Sequence, residues 1–147
     1  MKGWYKSMEP QKLLIDTNVV LDLLLARKPF DTYAKMIFEL AANDDKTLYI
    51  SVNSFTDIIY FVSKEYDIEL VRNQMNELLD FVTIIDAGHK DSLKSLKMLE
   101  FKDIEDAFQV QCAMKEGIDF IITRDIMGFK ASTIPALLPE DYLKIVK

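Results

Sequence analysis

The stretch LLIDTNVVLDLL, residues 13–24, decides the fold. Three apolar residues run into Asp16-Thr17-Asn18, an acid recurs at Asp22, and the chain returns to apolar residues. A short apolar run closed by polar residues reads as a buried strand over 13–15, reaching back to Lys12. Residues 17–26 then read as a helix with Thr17 or Asn18 as its N-cap. A carboxylate at the end of a buried strand is costly unless it is paired or coordinated. Asp16 is therefore expected to be paired or coordinated.

Working outward, the same alternation recurs. Pro29 punctuates the first helix, and Tyr33, Met36, Ile37, Leu40 and Ala41 follow helical spacing, which predicts a helix over 30–43. NDDK at 43–46 is expected to be a turn and TLYIS at 47–51 a strand. Ser54 is expected to cap a helix carrying Phe55, Ile58, Ile59 and Val62 inward, followed by a helix over 67–80 and a strand FVTII at 81–85. Residues 89–99 predict a helix with Leu93, Leu96 and Leu99 facing inward. Residues 103–116 predict another, ended by Gly117. DFIIT at 119–123 reads as a fourth strand, Ile134 sits in a short fifth, and PEDYLKIV closes the chain as a helix with Pro139 near its start. Strands separated by helices or helix pairs predict an α/β domain, a three-layer α/β/α sandwich around a parallel sheet of about five strands.

The totals bound the answer. The 147 residues suit one domain, expected at 11–147 behind a poorly ordered extension at 1–10. Half of the residues are hydrophobic, enough for one sizeable core. The net charge of −6 argues against a general nucleic-acid coat, whose balance should be basic. It leaves a nuclease open, because a metal-binding cluster of acids itself makes the count negative. Cys112 is the only cysteine, so no internal disulfide is possible, which fits a reducing compartment. The opening MKGWYKSMEPQK is too polar for a secretory signal and no apolar run reaches membrane-spanning length, so a cytoplasmic protein without a membrane role is expected.

In parallel sheets ligands bind outside the carboxyl ends of the strands. Asp16 ends the first strand, Asp57 lies one turn into the helix after the second, Asp103 and Asp106 open the helix before the fourth, and Asp125 lies just past the fourth in ITRD. Four acids distant in the chain are thus expected at one edge of the sheet. Taken singly each has a plain structural role: Asp103 with Asp106, and Ser54 with Asp57, fit helix-start capping patterns, Asp125 fits a turn cap, and Asp22 fits a solvated helix face. Together they would repel one another, and a divalent cation is the usual remedy. Hard oxygen ligands suit Mg²⁺ or Mn²⁺. His89, the lone histidine, fits a surface position better than a ligand, and no Cys or His cluster suggests zinc.

LLIDTNVVLD, the strand and helix bearing Asp57, DIEDAFQ and DFIITRD together resemble the PIN domain family, in order, spacing and element type, from about residue 12 to 147. The closing STIPALLPEDYL resembles the tail of many bacterial members, and the group most similar is the VapC-like toxin ribonucleases. The resemblance implies a Mg²⁺- or Mn²⁺-dependent ribonuclease. It places the family's first acid on Asp16, the third on Asp106 with Asp103 as an extra candidate, and the fourth on Asp125 with Thr123 just before it. The second acid, commonly Glu, falls on Asp57, one methylene shorter. On this reading Asp16 and Asp106 ligate a first ion, while Asp125 and Asp57 help with a second or position water. Thr17 and Asn18 hydrogen-bond the carboxylate or a substrate phosphate, and Asp22 stays structural. An RNA substrate, an antitoxin protein and a homodimer are the implied partners.

RNA also needs cations. Arg124, between Thr123 and Asp125, is the best placed. Lys90, Lys94 and Lys97 form one helical stripe that Lys102 continues toward the site, although a solvated helix face explains the stripe equally well. Tyr33, Tyr60 and Trp4 offer stacking surfaces, and core or tail packing accounts for them too. Competing readings are weaker. An inactive PIN-like module that binds RNA or protein fits the shortened Asp57 and the acidic balance. A haloacid-dehalogenase-type phosphatase wants Asp-x-Asp after the first strand, where this chain has Asp16 and Asn18. A nucleotide-binding domain wants a glycine-rich phosphate loop, and neither such motif occurs.

Overall fold

A computed structural model describes residues 10–43 and 46–146. The expected extension at 1–10, except Pro10, and the middle of the NDDK turn lie outside the described residues. The elements run β1 (Gln11–Ile15), α1 (Thr17–Leu24), α2 (Phe30–Ala42), β2 (Lys46–Ser51), α3 (Val52–Ser63), α4 (Ile68–Phe81), β3 (Val82–Ile85), α5 (His89–Leu96), α6 (Ile104–Glu116), β4 (Phe120–Ile122), a 3₁₀ turn (Met127–Phe129), β5 (Ala136–Leu137) and α7 (Pro139–Ile145).

All four strand pairings are parallel, and the five strands lie in the order β3-β2-β1-β4-β5. Successive residues of a strand point to opposite faces. Leu13 and Ile15 accordingly join Leu48, Ile50 and Ile122 in a core with residues of α1, α2, α3, α4 and α7. Leu14, Tyr49 and Ile121 join Val110, Cys112 and Ala113 of α6 in a second core on the other face. This is the expected three-layer sandwich. Both faces of β1 are buried, which is why its sequence is continuously apolar.

The strand order fixes where a site belongs. From β1 the chain moves outward through β2 and β3, then returns to the opposite side of β1 for β4 and β5. The order reverses between β1 and β4, and the crevice outside their carboxyl ends is where this architecture binds ligands.

Several local expectations are corrected. Asp16 itself, not Thr17 or Asn18, caps α1, accepting a hydrogen bond from Thr17 N. Helix α1 stops at Leu24, with Leu25 as its C-cap and Ala26 at a positive φ of 50°. Ser51 rather than Ser54 caps α3, because the helix starts directly at the strand end. The fifth strand is Ala136–Leu137 and leaves Ile134 just outside it. Helix α5 ends at Leu96, and Leu93, Leu96 and Leu99 face outward at 48%, 56% and 86% exposure. The side of α5 that packs inward carries Asp91 and Ser95. Asp91 accepts from Gly88 N, Gln111 Nε2 and Lys115 Nζ, and these bonds, the Gly88 amide first, hold its carboxyl near pKa 2. That polar seam with α6 decides the orientation of the helix. Gly117 ends α6 in the left-handed conformation, φ 74°, as its sequence position implied.

Candidate metal centre

Asp16 follows β1 directly and is buried. Its backbone N–H donates to Ile122 O at 3.0 Å, so the end of β1 is tied to the end of β4. Its carboxylate receives three hydrogen bonds from three segments: Thr17 N and Gln109 Nε2 donate to Oδ1 at 2.8 and 3.1 Å, and Thr123 Oγ1 donates to Oδ2 at 2.7 Å. The cost of burying the charge is thereby met locally. Thr123 Oγ1 also accepts from Asp125 N at 2.9 Å, so one hydroxyl holds the Asp16 carboxylate and the Asp125 backbone.

Asp103 caps α6, its Oδ1 accepting from Glu105 N and Asp106 N at 2.8 and 3.4 Å. The cap presents Asp106 from the first turn. Burial, followed by the charges of Asp103, Asp16 and Asp125, pushes the Asp106 carboxyl up to about 6. The residues sequence reasoning grouped as 16, 106 and 125 are therefore electrostatic neighbours. Gly128 shows how closely Asp106 and Asp125 sit. A β-carbon built on it would stand 2.4 Å from Asp125 Oδ2 and 2.8 Å from Asp106 Oδ2. Its N–H donates to Asp125 Oδ1 at 3.0 Å.

Asp57 stands to one flank. It lines a cavity of about 440 Å³ with Asn53, Glu105, Leu96 and Phe108. Burial comes first, then a hydrogen bond and the charge of Asp57, in raising the Glu105 carboxyl to about 7. Asp57 is thus joined to the cluster through Glu105, the residue before Asp106. Among the described residues, no three His, Cys, Asp or Glu side chains form a closed ligand set as they stand.

Two expected substrate contacts point elsewhere. Arg124 turns from the acids and forks onto Asp22, with Nε–Oδ2 at 2.7 Å and Nη2–Oδ1 at 3.1 Å, and its guanidinium lies 4.0 Å from the Phe30 ring centroid. Asp22 is 1% exposed, and Arg27 approaches it at 3.8 Å. Asn18 accepts from Arg27 Nη1 at 3.3 Å. Thr17 Oγ1 meets Ser54 Oγ at 2.7 Å, and Ser54 in turn accepts from Ser51 Oγ, so a row of hydroxyls joins the starts of α1 and α3.

Sequence reasoning missed Gln109, Glu105 and Gly128. Gln109 follows Asp106 by three on the helix and shares its face. Gly128 follows Asp125 by three, the spacing of a tight turn that begins with Asp and ends with Gly.

The donors present fit a hard divalent cation. They are oxygen only, the absent Gly128 side chain leaves open the space beside Asp106 and Asp125, and Gln109 Oε1 is buried with no hydrogen-bond partner among the described residues.

A PIN domain family model matches residues 12–127. Ribonuclease VapC1 of Aquifex aeolicus (strain VF5) is 27% identical over 139 residues, covering 92% of this chain and 95% of that protein. Among solved structures, a toxin–antitoxin complex from Klebsiella pneumoniae matches with TM-score 0.67 and 22% identity, over 86% of this chain and 97% of the other. VapBC-1 from nontypeable Haemophilus influenzae matches with TM-score 0.67 and 15% identity, over 88% and 98%. At those identities the two structural likenesses speak for the fold.

Proposed function

The chain belongs to the PIN domain family, and from that premise we propose that it is an endoribonuclease that hydrolyses RNA phosphodiester bonds with Mg²⁺ or Mn²⁺. What supports this reading most is that Asp106 feels the charges of Asp16 and Asp125 near the ends of β1 and β4, beside a glycine that leaves open the space next to Asp106 and Asp125. The curated relative named a ribonuclease, aligned over nearly both chains, supports the choice of reaction.

Asp16, Asp106 and Asp125 would hold the ion, with Asp57 contributing from the flank. A divalent ion bound there supplies Lewis-acid stabilisation of phosphoryl oxygens and lowers the pKa of a bound water. The chain's own residues prepare the site. Thr123, Gln109 and the Thr17 amide hold Asp16 in one orientation, so ligation costs little reorganisation. Gly128 N and Asp103 hold Asp125 and the first turn of α6 in the same way. Asp106, with its pKa near 6, is largely ionised at neutral pH and able to ligate. No protein nucleophile is required, and Cys112 is excluded as one: it is buried, and burial pushes its thiol up to about 11.

The same reading makes the protein the toxin of a toxin–antitoxin pair acting in the cytoplasm. The complexes among its structural likenesses support a protein partner, and among the described residues no helix is long and apolar enough to cross a membrane. The outward Leu93, Leu96 and Leu99 support a surface covered by protein, which the homodimer of this reading would supply.

One observation favours a second reading, a weak or inactive RNA-binding module: Asp57 pairs with Glu105. Cleavage of mixed RNA in Mg²⁺ or Mn²⁺, wild type against Asp16→Asn, separates the two. Metal-dependent cutting by the wild type alone is the expected result. No cutting by either protein, together with no Mn²⁺ binding, leaves the module.

A further inference from the structure

The arginine beside the acids is engaged with Asp22, so a polyanionic substrate must find its cations elsewhere. A cleft of about 260 Å³ opens onto Asp106 and Gly128, with Phe101, Lys102, Asp103 and Lys130 among the residues around it. Lys102 comes from the loop before α6 and Lys130 from the turn after β4, so the two ammonium groups belong to the segments that also deliver Asp106 and Asp125. Both lysines are exposed, and neither has a salt-bridge partner among the described residues. Of the acids that line the cleft beside the lysines, Asp103 is already occupied in capping α6, and Glu100 makes no salt bridge among the described residues. With no side chain at Gly128, the cleft continues to the carboxylates of Asp106 and Asp125.

We propose that Lys102 and Lys130 form the site that holds an RNA backbone phosphate next to the one being cut, so that the strand enters the acidic centre through this cleft. The inference rests on the ribonuclease reading and adds its substrate-holding residues. Lysine suits the task as a mobile point charge whose contact with a phosphate releases counterions. Phe101, partly buried against the second core, also lines this cleft. A larger cavity, about 690 Å³, presents Lys90, Lys94 and Lys115 along α5 and α6, but it includes none of the clustered acids. Lys115 there is bound to Asp91 and to Asp86 O.

The test is binding of a fluorescein-labelled, mixed-sequence single-stranded RNA, read by anisotropy across a salt series in EDTA, where nothing is cut. Lys102→Gln/Lys130→Gln is compared with wild type and with Lys90→Gln/Lys94→Gln, and Mn²⁺ binding is followed by electron paramagnetic resonance. The cleft variant is expected to bind RNA several-fold more weakly at low salt. Its plot of log affinity against log salt should be flatter by about 1.4, two phosphate contacts at ~0.7 each. Its Mn²⁺ affinity should be unchanged, and the α5 variant should bind RNA as the wild type does. Equal binding by the cleft variant and wild type overturns the proposal, as does an equal or larger loss in the α5 variant, or no RNA binding by any of the three. Mn²⁺ binding with RNA bound but never cut would instead count against the ribonuclease reading and leave this site standing.

Discussion

Thr123 Oγ1 donates to Asp16 Oδ2 at 2.7 Å while accepting from Asp125 N at 2.9 Å, so a single hydroxyl couples the acid at the end of β1 to the acid beyond β4. Thr123→Val keeps the shape and removes both bonds. We expect Mn²⁺ affinity to fall about 10- to 100-fold, the usual cost of losing an orienting group behind a ligand. Thr123→Ser should restore most of it. Calorimetric titration with Mn²⁺ decides, and equal affinities in Val and wild type would remove Thr123 from the site.

Gly128→Ala tests the clearance between the acids. The new methyl group would meet Asp125 and Asp106 oxygens at distances that real β-carbons do not show, so the carboxylates must turn away. The expected result is loss of Mn²⁺-induced thermal stabilisation, since an ion that binds only the native state raises its melting temperature. The metal-free protein should still melt cooperatively. A full Mn²⁺ response in the alanine variant would refute the clearance argument.

Asp22 and Arg124 make the counterpart experiment in stability. Removing the arginine leaves a carboxylate at 1% exposure whose one remaining cation among the described residues is Arg27 at 3.8 Å. Breaking a buried pair costs roughly 3–5 kcal/mol, and the 30% exposure of Arg124 places this one toward about 2–3 kcal/mol. Urea unfolding of Arg124→Ala measures it. A loss under about 0.5 kcal/mol, the scale of an ordinary surface substitution, would show the fork to be dispensable.

The pH dependence of the metal-free protein has a definite sign. Asp106 and Glu105 have folded-state pKa values near 6 and 7, above their ordinary values of 3.8 and 4.5. Their protonated forms are favoured in the folded state. The stability they contribute is therefore present at pH 4 and lost as pH rises through about 6 to 7. Asp91, held near 2, acts the other way and only at acid pH, losing its contribution as pH falls through that value. Melting temperature in EDTA should thus decline between pH 5 and 8, while Mn²⁺ affinity climbs over the same interval because ligation needs the ionised carboxylates. A melting temperature that rises over that interval contradicts the assignment.

Much of this was legible from residue order. The apolar runs before Asp16, Ser51 and Thr123 announced buried parallel strands, and the acids just beyond the strand ends are the residues from which the site is proposed. What stayed hidden was set by partners remote in the chain. Leu93, Leu96 and Leu99 have the spacing of an inward face, but Asp91 is held by Gln111 and Lys115 of α6, and that polar seam turns the leucines outward. Arg124 has the address of a substrate contact, yet Asp22, 102 residues earlier, holds it. Gln109 closes the DIEDAFQ stretch and Gly128 ends an Asp-x-x-Gly turn, but what each one touches appears only once Asp16, Asp106 and Asp125 are in place.

The orientation of Asp16 depends on groups 93 and 107 positions downstream, Gln109 and Thr123. During synthesis, then, the polypeptide carries Asp16 early with only the Thr17 amide to hold its carboxylate. Tight Mn²⁺ binding should therefore appear only once the fourth strand has docked beside the first, and a chain cut short before Thr123 should lack it.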